Sequence, residues 1–116
     1  MRTASIIGTG IYAPERVVPN EYFNDLYGED VDSFLRERRN IKERRYAAEG
    51  QATSDLAMEA SKAALSNAGV DAVDIDLIVV STDTPDYLSP STAAVLQDKL
   101  GAVNAATFDL NTACAG

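Results

Sequence analysis

Apolar positions along the chain change period several times, and each change marks an element. Residues 3–10 form a short apolar run that predicts a buried strand. Residues 19–28 and 30–38 predict two helices, the first with Asn20 as N-cap and Gly28 near its end, the second capped by Asp30. Between residues 53 and 69, Leu56, Ala57, Ala60, Ala63, Ala64 and Leu65 fall on one stripe at helical spacing, with Thr53 or Ser54 as cap and Gly69 as stop. That face is almost all alanine, which lets a helix approach a sheet closely. Residues 75–82 are a continuous apolar run of the kind that a strand buried on both faces requires. Ser91 caps a further helix that ends at Gly101, and residues 105–110 predict a last strand. Helix, strand, helix, strand in that order predict a parallel α/β layer with right-handed connections.

Composition narrows the class. A chain of 116 residues, 46% apolar, fits one domain with a real core, and residues 1–116 show no repeat, linker or internal boundary. No run approaches the ~18 apolar residues of a membrane span, and the start lacks a signal-peptide pattern, so a cytoplasmic protein is expected. One cysteine forms no internal disulfide, in keeping with a reducing compartment, and without histidine it makes no zinc site, so no metal is expected. The net charge of −8 disfavours nucleic acid as a partner. Residues 36–45 nevertheless hold six of the ten basic residues and only two of the eighteen acidic ones, a basic island in an acidic chain.

Two motifs compete for chemistry. Gly8, Gly10 and Ala13 match a dinucleotide-binding fingerprint behind a predicted strand, but such a turn must open at once into a helix, and Pro14 and Pro19 bracket an extended or turning stretch instead. A close-packed turn is the better reading. The second motif is Cys114, flanked by Ala113, Ala115 and Gly116. At a strand-to-helix elbow, free backbone N–H groups and the helix dipole would favour its thiolate, and small neighbours would admit a substrate. Free cysteine is also a common small core residue, and on composition alone that reading carries more weight.

Resemblance across the chain shifts that balance. The ordered blocks IIGTGIYAPERVVPN, IKERRYA, DLIVVSTDTPDYLSPSTA, LG and TFDLNTACAG resemble the N-terminal part of the β-ketoacyl-[acyl-carrier-protein] synthase III family, of the thiolase fold. The resemblance implies an α/β, thiolase-like layered fold, here its N-terminal portion, with a mixed sheet of parallel strands and packed helices. It puts the acylated nucleophile on Cys114 and places the end of the chain just past it, about a third of the way through a family member. The family completes its site with a histidine and an asparagine from its second half, and this chain has no histidine. By itself the chain is therefore expected to be inactive, needing that missing C-terminal half. The implied reaction takes an acyl group from acyl-CoA and condenses it with malonyl-acyl carrier protein with loss of CO2. No cofactor is implied beyond coenzyme A as part of a substrate, and the implied assembly is a homodimer.

Two departures from the family pattern bear on substrate. Phe34 stands where the family has a tryptophan that grips coenzyme A, while Arg38 keeps the matching arginine; a phenylalanine face is smaller and has no indole N–H. Asn40 replaces a glycine, a change that a positive-φ turn tolerates. The other reading makes these arginines a solvated helix end paired with Glu37, Glu43 and other acids, preferred for Arg36, Arg44 and Arg45. Ser89 stands where family members often carry a large aromatic that closes the acyl pocket across the dimer interface, so a primer longer than acetyl is expected; a plain polar turn before Pro90 is the alternative. Other functions remain open: acyl transfer to an oxygen or nitrogen acceptor, a hydroxymethylglutaryl-CoA synthase-like reaction, or a non-catalytic structural module.

Overall fold

Val17 and Val18 lie in an extended stretch that finds a partner: β1 (Arg16–Pro19) runs antiparallel to β2 (Glu43–Tyr46), with Val17 opposite Arg45 and Val18 opposite Arg44. α1 (Glu21–Tyr27) ends at Gly28 in the left-handed conformation, and α2 (Val31–Arg39) starts at Asp30, whose carboxylate accepts the Ser33 N–H at 3.0 Å. Asn20 occupies the N-cap position of α1 but caps nothing, because its own backbone is already helical (φ −64°, ψ −31°). Asn24 reaches out of α1 instead and accepts from Val31 N and Asp32 N, so α1 caps α2. Asn40 ends α2 at φ 54°, the left-handed turn that the glycine-to-asparagine exchange anticipated.

The computed structural model describes residues 3–116. These elements form one unit, Ala13–Gly50; the other is Gln51–Gly116 together with the chain up to Tyr12. In the latter, α3 (Thr53–Ala68), β3 (Leu77–Ser81), α4 (Thr92–Leu100) and β4 (Ala106–Leu110) follow in the predicted order. β3 and β4 pair in parallel, Leu77 opposite Ala106 and Ser81 opposite Leu110. The parallel and antiparallel pairings that one mixed sheet would combine thus sit in two separate two-stranded ladders among the described residues.

Val80, Ala93 and Leu96 form the core of this unit, with Ala57, Met58, Ile78 and Leu100 packed around them. Full burial of Leu96 contributes about 2 kcal/mol. Only one face of the β3–β4 pair is covered. Ile78 and Val80 turn toward the helices, while Leu77 (51% exposed), Val79 and Phe108 (48%) form a bare apolar face, so the strand expected to be buried on both sides is buried on one. The pleat sends alternate residues to opposite faces, and α3 and α4 supply cover to one of them.

Two further local expectations are corrected. Residues 3–10 form no strand: they make no ladder hydrogen bonds, and run along α3, where Asn67 Nδ2 donates to Thr9 O at 2.8 Å. The N-cap of α3 is Ala52, neither Thr53 nor Ser54. Thr53 Oγ1 donates to Thr84 O at 2.6 Å and Ser54 lies fully buried, so tertiary partners take both hydroxyls; Asp55 reaches back to accept the Ala52 N–H at 2.8 Å. Lys99, at the far end of α4, bonds Ser54 Oγ and Asp55 Oδ1, and its hydrogen bond, ahead of the Ala52 N–H, holds the Asp55 carboxyl below the usual carboxylate range.

The alanine face of α3 meets Gly8 and Gly10 as closely as backbone permits. A Cβ on Gly8 would lie 2.6 Å from Ala68 Cβ and 2.7 Å from Ala64 O, and one on Gly10 would collide with Ala60 O and Ala64 N. The glycines of the fingerprint-like motif therefore serve packing, and no helix follows them. Gly10→Ala is expected to destabilise this unit by about 1–3 kcal/mol, since the opposing atoms are backbone and cannot rotate away. Urea titration followed by circular dichroism measures it; an unchanged midpoint would show that this approach is not needed for stability.

Candidate active site

β3 and β4 point the same way, so the segments that leave their carboxyl ends emerge at one edge of the sheet, where open α/β layers place their ligands. Residues 82–91, with Ser89, follow β3; residues 111–116, with Cys114, follow β4. Ser89 is exposed and joined to Pro90 by a cis peptide bond, and Leu88 beside it is wholly exposed.

Cys114 is an exposed free thiol in a single 3-10 turn, Ala113–Ala115, closed by Ala115 N donating to Thr112 O at 3.0 Å. Within this chain Cys114 lies in that 3-10 turn and not at the start of an α-helix as expected. Ala113, immediately before it, holds φ 48°, a left-handed conformation that costs an L-residue about 1–2 kcal/mol. The turn lies against the end of β3, where a Cβ on Gly116 would strike Ser81 Oγ.

Phe34 and Arg38 lie on α2, in the Ala13–Gly50 unit. Phe34 is 54% exposed, and the guanidinium above its ring belongs to Arg39, 5.7 Å from the centroid. The Arg38 side chain has no hydrogen bond or ion pair among the described residues. Arg36, in the last turn of α2, is the solvated helix end paired with acids that was expected, whereas Arg44 and Arg45 lie on β2. Arg36 pairs with Asp32 at 2.6 Å and Glu21 at 3.2 Å, and Arg45 donates to Pro14 O besides lying 3.9 Å from Glu43. Arg44 sits on β2, with its guanidinium 4.2 Å from the Phe23 ring centroid and Nη2 donating to Asn20 Oδ1.

Sequence reasoning missed Asn20 as the organiser of this unit. Fully buried, it donates from Nδ2 to Asp32 Oδ1 (2.8 Å) and Ile41 O (2.7 Å) while accepting from Arg44. One amide thus ties α1, α2, β2 and the turn between them, and a cap residue in sequence gives no sign of such partners. It also missed Asp109, whose carboxylate accepts from Thr92 N and Ala93 N, both at 2.7 Å, although a charge at an inward position of an apolar strand is a visible signal. An apolar groove of about 260 Å³, lined by Leu65, Ile75, Ile78, Leu96 and Leu100 among others, contains no titratable group and so offers packing surface without chemistry. Among the described residues no cluster fit for a metal occurs, and no helix is long and apolar enough to cross a membrane.

A parallel strand–helix–strand layer here leads into a cysteine-bearing turn, the arrangement of an α/β enzyme layer with a thiol at its carboxyl edge. No family model matches the chain. It is 53% identical over 116 residues, its whole length, to a β-ketoacyl-[acyl-carrier-protein] synthase III of Clostridium perfringens, and covers 35% of that protein. Among solved structures it matches 3-oxoacyl-[acyl-carrier-protein] synthase III of Aquifex aeolicus (TM-score 0.85, 37% identity, 96% of this chain and 35% of the other). It matches the priming β-ketosynthase of a polyketide pathway equally well (TM-score 0.85, 37% identity, 96% and 33%). The fold is thiolase-like, and the chain corresponds to the N-terminal part of a β-ketoacyl-[acyl-carrier-protein] synthase III, spanning about a third of the length of the relatives it matches.

Asn20→Ala is expected to cost the Ala13–Gly50 unit about 3 kcal/mol, because it strands the Ile41 carbonyl, Asp32 and the Arg44 guanidinium without their shared partner. Hydrogen exchange at the β2 amides reads this directly, and full retention of their protection would contradict it.

Proposed function

We propose that this chain is the nucleophile-bearing part of a decarboxylating condensing enzyme. The single observation that carries the reading is the position of Cys114: exposed, behind a left-handed Ala113, at the carboxyl edge of the parallel pair. Cys114 Sγ, as thiolate, attacks the carbonyl carbon of an acyl-CoA thioester, and the coenzyme A thiolate leaves with the electron pair of the broken C–S bond. A malonyl group on acyl carrier protein then loses CO2, and the resulting carbanion attacks the acyl-enzyme. The new carbon–carbon bond forms as the Cys114 C–S bond breaks, which releases a 3-oxoacyl product and restores the thiolate. A histidine and an asparagine outside this chain support the decarboxylation. Coenzyme A enters as part of a substrate, and the chemistry requires no resident cofactor or metal.

The exposed ring of Phe34 and the unpaired Arg38 are suited to the adenine and phosphate end of coenzyme A, and the basic island to an acidic carrier protein. The complete enzyme is a cytoplasmic homodimer in this reading. The bare apolar face of Leu77, Val79 and Phe108 calls for a covering layer, from the remaining length of the enzyme or from a second copy.

Incubating the complete enzyme with acyl-CoA is expected to add one acyl group, seen by mass spectrometry, and Cys114→Ser to abolish the adduct. An unlabelled but folded protein would refute the reading. With Ser89 in place of a large aromatic, acyl-CoA thioesters longer than acetyl should acylate faster; a clear preference for acetyl would reject that role for Ser89.

A further inference from the structure

α2 carries Phe34 and Arg38, the two residues proposed to contact coenzyme A, yet apolar packing does not hold it. None of its residues is buried, and Val31 and Leu35 are only half-buried. A helix so placed turns about its own axis unless polar ties fix it.

Two asparagines one helical turn apart supply those ties. Asn24 Oδ1, on α1, accepts from Val31 N at 2.9 Å and Asp32 N at 3.0 Å, the first two amides of α2. Asn20, fully buried, donates from Nδ2 to Asp32 Oδ1 at 2.8 Å and to Ile41 O at 2.7 Å, just beyond the other end of α2. Asp32 Oδ1 also accepts from Arg36 Nε at 2.6 Å, and Arg36 reaches Glu21 on α1 at 3.2 Å. The side-chain ties therefore meet the side of α2 that bears Asp32 and Arg36. Phe34 and Arg38 each follow one of these residues by two positions, a rotation of about 200° on a helix, so they stand on the opposite side. Spaced i and i+4, they are neighbours on one face. Phe34 is 54% exposed there, and the Arg38 side chain has no partner among the described residues.

α2 already has a local cap, since Asp30 accepts the Ser33 N–H. Asn24 is thus not needed to start the helix, and what it adds is the link to α1. We propose that Asn24 is a positioning residue for coenzyme A: by tying the first turn of α2 to α1 it sets the direction in which Phe34 and Arg38 face, and so the affinity for the nucleotide end of the thioester. This inference rests on the reading of Phe34 and Arg38 above and extends it to a side chain that touches no substrate.

The test uses the complete enzyme and single-turnover acylation of Cys114 by two donors of the same acyl group, acyl-CoA and acyl-pantetheine, the second lacking the adenine nucleotide. Asn24→Ala removes both acceptor bonds and leaves Asp30 in place. The acyl-CoA concentration that gives the half-maximal rate is expected to rise about tenfold, the weakening that follows loss of a base–aromatic stacking contact. The maximal rate and the acyl-pantetheine reaction should stay as they were. Asn24→Asp keeps an acceptor for both N–H groups at a helix N-terminus and is expected to restore the unsubstituted value; an aspartate variant as weak as the alanine one overturns the inference. A merely structural role would lower the reactive fraction for both donors by the same factor and leave half-saturation unmoved, and that result overturns it too. If Asn24→Ala does not fold, Asn24→Gln, with the same amide one methylene further out, decides: a rise confined to acyl-CoA supports the inference, and no rise overturns it. If no thioester labels the unsubstituted enzyme, or Phe34→Ala leaves half-saturation by acyl-CoA unchanged, the functional reading falls and takes this inference with it. A rise in Phe34→Ala with none in the Asn24 variants removes this inference alone.

Discussion

Two parallel strands cannot be joined by a tight turn, and the arrangement around Cys114 follows from that constraint. The chain must leave β3 at one end of the pair and re-enter β4 at the other, so a crossover is required, and α4 is that crossover. Its inner residues Ala93 and Leu96 close over Val80 and make the core. Because both strands run the same way, the Ser89 segment and the Cys114 turn emerge side by side at the carboxyl edge. The pairing thus creates the core and the candidate site together.

Besides the local caps Asp30 and Ser91, helix N-termini in each of the two units receive side-chain caps from other elements. Asp109 serves α4 from β4, Asp86 serves the first turn of α3 from the segment after β3, and Asn24 serves α2 from α1. A local cap fixes only where a helix starts, whereas a cap from a distant element also fixes where the helix lies. The same device extends to the far end of α4, where Lys99 reaches Ser54 and Asp55. Polar side chains therefore register the helices against the strands, in a unit where few large apolar side chains are fully buried.

Small residues do the complementary work. Gly8 and Gly10 opposite Ala60, Ala64 and Ala68 bring backbone against backbone, an approach that any larger side chain would prevent. On the opposite side, Leu77, Val79 and Phe108 leave an apolar sheet face open. A thiolase-like segment of this kind combines one finished layer with one unfinished surface, in keeping with a chain that spans about a third of its relatives' length.

Elements with a local signature were legible in residue order. The α3 periodicity, the Asp30 and Ser91 caps, the glycine stops at Gly28, Gly69 and Gly101, and the apolar runs of β3 and β4 all stand where the pattern put them. Near-neighbour sterics and hydrogen bonds decide such features, and near neighbours are written in the chain. The fingerprint-like glycines were likewise readable as packing, because Pro14 and Pro19 excluded the helix that a nucleotide turn needs. Tertiary structure alone decided that residues 3–10 lack ladder partners, that Asn20 organises its unit without capping, and that Phe34 lies beneath Arg39. It alone showed Asp109 joining β4 to α4. Each of these depends on a partner at least five positions away, and a side chain with several satisfiable hydrogen bonds is committed to one of them only when the fold brings that partner within reach.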